Sequence, residues 1–149
     1  MIPTIASMYF AMALSNAGAE SAAAIEMRCG AQFVQPAEIV DCLSRAADQA
    51  QRDLTATETR LFRHLRQVQN RYPELGELNV GAIEPAWQQA SQSWQVFKND
   101  SCAYYTQLHS AIGEGDLERA ACELRAVKRR LDDVAADEAF WREKFPVGD

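Results

Sequence analysis

The sequence predicts an all-α fold: an antiparallel up-down bundle of three long helices, braced by disulfides. Three observations predict it. Apolar residues recur at steps of three and four along three long stretches, which lines them up on one helix face. Breaks bearing Pro or Gly separate the stretches. No stretch shows the strict alternation of a half-buried strand.

The first long helix starts at Pro36, a residue suited to a first helical turn, with Glu38 close behind. Ile39, Leu43, Ala46, Ala50, Leu54, Thr57, Leu61, Leu65, Val68 and Tyr72 then form its apolar stripe. Pro73 stops it. The break from Glu74 to Gly81 carries two glycines and Asn79, residues that suit turns. The second helix is expected from about Ala82 to Ile112, with Pro85 tolerable only in its first turn. Its stripe is Trp87, Ala90, Trp94, Phe97, Tyr104, Leu108 and Ile112, and the expectation is that Trp94 and Phe97 are buried core. Gly113-Glu114-Gly115-Asp116 forms the next turn, with Asp116 as the expected N-cap of the third helix. That helix carries Leu117, Leu124, Val127, Leu131, Val134, Trp141 and Phe145 on one face, and Pro146 ends it. Short connections make consecutive helices neighbours. Residues 20–35 read as an irregular or partly helical arm.

The 149 residues fit one domain, and 48% hydrophobic content can fill a continuous core. A net charge of −6 argues against binding a nucleic-acid backbone and favours a basic partner. Residues 1–19 read as a signal peptide, leaving a single helical domain over 20–149. Ile5 to Leu14 is an uncharged apolar run, too short to span a membrane comfortably, and Ala17-x-Ala19 is a small-residue cleavage pattern. The export signal lacks a Lys or Arg ahead of the run; the alternative is an ordinary N-terminal helix. No membrane insertion is expected after processing.

Four cysteines follow: Cys29, Cys42, Cys102 and Cys122. An even number in an exported chain favours disulfides, and four allow three pairings. The pairs close in sequence are Cys29–Cys42 and Cys102–Cys122. In an up-down bundle the second pair flanks the Gly113–Asp116 turn and would staple two helices, and the first would pin the arm. Unequal lengths around the turn predict local unwinding near the second bridge.

Catalytic chemistry is sparse. Neither a nucleophile elbow, a phosphate loop nor a metal motif is present, so neither an enzyme, a metal site nor a cofactor is expected. His64, among Arg63 and Arg66, reads as a surface or boundary residue, and His109 likewise. Asp132, Asp133, Asp137 and Glu138 read as a solvated acidic face.

Several short motifs lie in order along the chain. They are Asp41-Cys42-Leu43, Ala50-Gln51-Arg52-Asp53-Leu54-Thr55, Gln92-Ser93-Trp94, Phe97-Lys98-Asn99-Asp100-Ser101-Cys102, and Cys122 with Arg130-Leu131. In these the chain resembles the LprI-like family of exported lysozyme inhibitors, over about residues 41–131. Gln51, Thr55 and Lys98-Asn99 stand where that family has Asp, Asn and Arg-Asp. The resemblance implies a periplasmic or secreted, non-enzymatic protein that binds and inhibits a basic cell-wall hydrolase such as lysozyme, with an immunity protein as a variant. The alternative is an envelope scaffold or adaptor with no hydrolase target. Loops at the bundle ends are the freest elements to enter an enzyme cleft. The expected contact residues are therefore Glu74, Leu75, Glu77, Leu78 and Asn79, with Glu114 and Asp116 at the opposite end as the fallback.

Overall fold

The computed structural model describes residues 20–148. Four helices make up this part of the chain: α1 (Ala22–Gln32), α2 (Pro36–Arg71), α3 (Val80–Ser110) and α4 (Gly115–Lys144). The all-helical class holds, but the bundle has four helices, not three. The expected N-terminal boundary at residue 19 and the apolar run before it lie outside the described residues.

The fourth helix is α1, in what the sequence reading made an arm. Ser21 caps it, its hydroxyl accepting from the Ala24 amide at 3.2 Å. Three alanines then favour the first turn. Ile25 and Cys29, one turn apart, supply the buried edge. The helix is too short to persist alone. It is held by the Cys29–Cys42 disulfide and by packing Ile25 against α2 and α4.

The 36-residue α2 matches its stripe. Leu43, Ala50, Leu54, Leu61, Leu65 and Val68 are buried. It pairs most extensively with α4, not with its sequence neighbour α3. The two run in the same direction. Near their N-termini Leu43 and Ala47 meet Ala120, Ala121 and Leu124. Toward their C-termini Leu61 and Leu65 meet Val127, Leu131 and Val134. Helix α3 runs back from the end of α2 to the start of α4 and packs mainly on α4, so the up-down order stands, and the expected pairing of consecutive helices holds for α3 with α4 but is slight for α2 with α3.

The Cys102–Cys122 disulfide joins α3 to α4 with its Cα atoms 5.6 Å apart, an ordinary span for such a bridge. Near the bridge the inward residues of α3 are small, while Trp87 and Trp94 fill the other part of the seam. Cys102 is buried, and Thr106 turns its hydroxyl back to the Cys102 carbonyl at 2.7 Å. Gly115 is buried too; a Cβ there would sit 2.9 Å from the Thr106 carbonyl oxygen. Other large side chains of α3 are turned outward. Phe97 is 69% exposed, Tyr104 61%, Leu108 56% and Ile112 70%. The expectation that Phe97 is core is wrong, and Trp94 is only half-buried. Neither helix unwinds at the bridge: α3 and α4 run unbroken through Cys102 and Cys122.

Other details differ as well. Asp116 lies inside the first turn of α4 and is not its cap; Glu114 holds that position without a side-chain bond. His64 is buried at 3% exposure, its Nε2 3.2 Å from the Trp141 carbonyl oxygen. Asp132, Asp133 and Asp137 are solvated as expected, but Glu138 is buried and paired with Arg60 and Arg142.

Candidate functional site

The connection from α2 to α3 is built from two successive turns. The Leu75 amide donates to the Tyr72 carbonyl at 3.0 Å, and the Leu78 amide to the Leu75 carbonyl at 2.8 Å. Asn79 ends the connection by capping α3, its side chain accepting from the Ala82 amide at 3.3 Å. The Gln69 side chain accepts from the Val80 amide at 2.9 Å and ties the exit back to α2. This order places Glu74 and Glu77 in solvent and turns Leu75 and Leu78 partly inward. Leu78 packs against the main core.

Beside this loop lies an open hollow of about 520 Å³. Leu75, Leu78, Ile83, Trp141 and Phe145 form its apolar wall, and Glu74 and Glu77 lie at its edge. The wall is fixed by aromatic packing. Trp141 stacks on Phe145 with ring centres 5.3 Å apart, and Tyr72 meets Phe145 edge-on at 5.5 Å. The Tyr72 hydroxyl donates to the Pro146 carbonyl at 3.0 Å, strapping the end of α4 to the end of α2. The depression combines an apolar floor with two free carboxylates, a chemistry suited to a partner with an apolar ridge and a basic rim.

The Gly113–Asp116 turn lies at the other end, beside Pro36 and Val40 of α2. Gly113 supplies its positive φ of 80°. Glu114 and Asp116 are exposed. The length of α3, about 46 Å at 1.5 Å per residue, separates them from Glu74 and Glu77. The two groups of candidate residues therefore form two separate surfaces.

Between these ends sits a polar-aromatic joint that the sequence reading missed. The Arg130 guanidinium lies 4.7 Å from the ring centres of both Trp87 and Trp94. Its Nη2 donates to Ser91 Oγ at 2.7 Å, and its Nε lies 3.9 Å from Glu58 Oε1. Trp87 Nε1 donates to that same Glu58 oxygen at 3.2 Å. One cation thus locks α4 to α3 and, through Glu58, to α2. The signal was present: Trp87, Ser91 and Trp94 are spaced at four and three. It read as a plain apolar stripe because the spacing does not reveal a cation from another helix. A second joint was equally hidden. Burial opposes the charged form of Glu138, but hydrogen bonds from Arg60 and Arg142 outweigh it and hold its carboxyl below the ordinary range. Arg60 Nε donates to Glu138 Oε1 at 3.1 Å, and Arg142 Nε donates to the same oxygen at 3.0 Å.

The family profile described as "Lysozyme inhibitor LprI" matches residues 29–134, most of the chain and both disulfides. The chain belongs to the lysozyme inhibitor LprI family. No curated protein and no solved structure matches it. In this LprI family member several of the motif residues serve the architecture. Cys42, Cys102 and Cys122 form the bridges, Leu43 and Leu54 are core, and Trp94 and Arg130 make the α3–α4 joint. The family is one of inhibitors, which agrees with a binding role and not with hydrolysis. Among the described residues no helix is long and apolar enough to cross a membrane, and the two disulfides fit an oxidising compartment.

Proposed function

We propose that the protein is exported by way of residues 1–19 to the periplasm or medium, where it inhibits a basic lysozyme-type peptidoglycan hydrolase. Membership of the LprI family is the observation that carries this reading. The net charge of −6 supports a basic target, because opposite fields speed encounter. The contact is assigned to the 74–81 connection. Glu74 and Glu77 beside the hollow offer carboxylates to a basic rim, while Leu75 and Leu78 present an apolar edge to the cleft wall. Occupying the cleft blocks approach to the catalytic carboxylates of a glycoside hydrolase. An immunity role against a rival's cell-wall effector is a variant of the same chemistry. The Gly113–Asp116 turn is the fallback surface.

A turbidity assay tests the activity. Lysis of cell walls by a basic lysozyme is followed with and without the purified exported protein. Dose-dependent slowing is expected. No slowing at large molar excess across lysozymes of different types removes the inhibitor reading and leaves an envelope adaptor.

A further inference from the structure

The outward side of α3 carries one apolar row along the helix, flanked by exposed Gln, Ser, Asn and Asp residues. The row reads Ile83, Ala90, Phe97, Tyr104 and Ala111, one residue every seven. All five are exposed, and Leu108 lies beside them. An apolar residue every seven keeps one line along a helix, as one of the two apolar positions of a heptad does. The partnered edge of α3 is a different row, through Trp87, Trp94 and Cys102. Among the described residues nothing covers the outer ridge.

The order of sizes along the ridge indicates what covers it. Turned end for end about Phe97, the ridge superposes on itself with large and small exchanged. Ile83 then faces Ala111, Tyr104 faces Ala90, and Phe97 meets Phe97. Alternating large and small residues across facing positions is how helix ridges interdigitate. A parallel pairing would instead leave Ala against Ala and crowd Tyr against Tyr. Self-complementarity under a half-turn is the condition for an isologous two-fold interface.

Charge points the same way. The whole of α3 carries only Glu84, Lys98 and Asp100 as ionised residues, and none of them is on the ridge. A chain of net charge −6 meets its own copy with least repulsion on a face that carries little charge. A basic enzyme would instead seek the acidic surfaces elsewhere. We infer that the outer face of α3 is a homodimer interface, in which two copies pair antiparallel about a two-fold axis at Phe97. The ridge from Ile83 to Ala111 is about 43 Å long and about 10 Å wide. That is about 430 Å² on each copy and on the order of 900 Å² in all, the size of a weak, transient interface. The dimer is therefore concentration-dependent.

Sedimentation of the exported protein between about 1 and 100 μM, a range that resolves micromolar affinity, tests this. The expected result is a doubling of mass across that range. Phe97→Glu should stay monomeric throughout, with unchanged helical signal and with the parent's melting temperature at concentrations where the parent is monomeric, since Phe97 is 69% exposed. The pairing is tested by exchange. Ala90→Tyr and Tyr104→Ala should each weaken the dimer about tenfold or more, and the double variant should recover to within about threefold of the parent. A parent that stays monomeric at 100 μM overturns the proposal. So does a parent that dimerises while Phe97→Glu dimerises as tightly, because the contact then lies on another face. A double variant no better than the single ones overturns the antiparallel pairing.

Discussion

The guanidinium of Arg130 lies 4.7 Å from the ring centre of Trp94, and this contact couples α4 to α3 where no disulfide reaches. Cation–π attraction and loss of apolar contact both depend on it. Trp94→Ala should cost about 2 kcal/mol, less than for a fully buried Trp because the ring is half-exposed. Arg130→Lys should not rescue Arg130→Ala, since a point charge cannot lie flat against both Trp87 and Trp94 while bonding Ser91. Urea unfolding of both single variants and the double gives the coupling, expected near 1 kcal/mol. Inhibition should be unchanged in every variant that folds.

Glu138 predicts a pH dependence. Its folded carboxyl is held below the ordinary value of 4.5 by Arg60 and Arg142, against the opposing effect of burial. A depressed carboxyl contributes stability that is fully present above its unfolded value. That contribution is lost as pH falls through the folded value. Thermal melts from neutral pH into the acid range should show the parent losing stability below about the ordinary carboxylate range. Glu138→Gln should be less stable by about 1–2 kcal/mol at neutral pH. The difference from the parent should shrink in acid. A constant difference at all pH values would assign the effect to packing alone.

Gly115 should tolerate no side chain. A Cβ there meets the Ser110 hydroxyl and comes within 2.9 Å of the Thr106 carbonyl oxygen. Gly115→Ala should destabilise by about 1–3 kcal/mol. Adding Ser110→Ala should recover only part, because the Thr106 contact is backbone and cannot swing away. Denaturant midpoints of the three proteins decide this.

Glu74 and Glu77 carry the prediction for target contact. Both are exposed, so Glu74→Lys with Glu77→Lys should leave the fold intact. Leu78 is less suitable for replacement because it packs on the core. The double reversal should weaken binding to a basic hydrolase by more than about tenfold, above about 1.4 kcal/mol. Most of the loss should appear in the association rate and shrink at high salt. Unchanged affinity removes this loop from the interface.

Much of the architecture was legible because it rests on local chemistry. Pro36 and Pro73 bracket α2, Asn79 caps α3, and the α2 and α4 stripes became core. Both cysteine pairs were readable because each is close in sequence. What was not legible depends on which helix faces which. The stripe of α3 follows the same period as that of α2, yet Phe97, Tyr104, Leu108 and Ile112 point outward, because the row that meets the rest of the bundle is the one through Trp87, Trp94 and Cys102. His64 looked exposed among arginines, and only the end of α4 folding over it makes it buried. Glu138 looked like part of a solvated acidic face, and only Arg60 from α2 gives it a partner across the bundle. The candidate loops were legible both as loops and as lying at opposite ends, because an up-down course of the helix between them requires it.

Each disulfide closes within its own half of the chain, Cys29 to Cys42 and Cys102 to Cys122, and neither crosses the 74–81 connection. A single proteolytic nick near Glu77 therefore severs the molecule into two fragments with no covalent link. One is α1 with α2, the other α3 with α4, each an internally cross-linked helical hairpin. Only the interlocked sides of α2 and α4, with the smaller contacts around them, would keep the fragments together, and after denaturation they would have to find each other by diffusion. Refolding would change from first to second order in protein. A nick at Gly113 leaves its two pieces bound through Cys102–Cys122, and refolding stays first order.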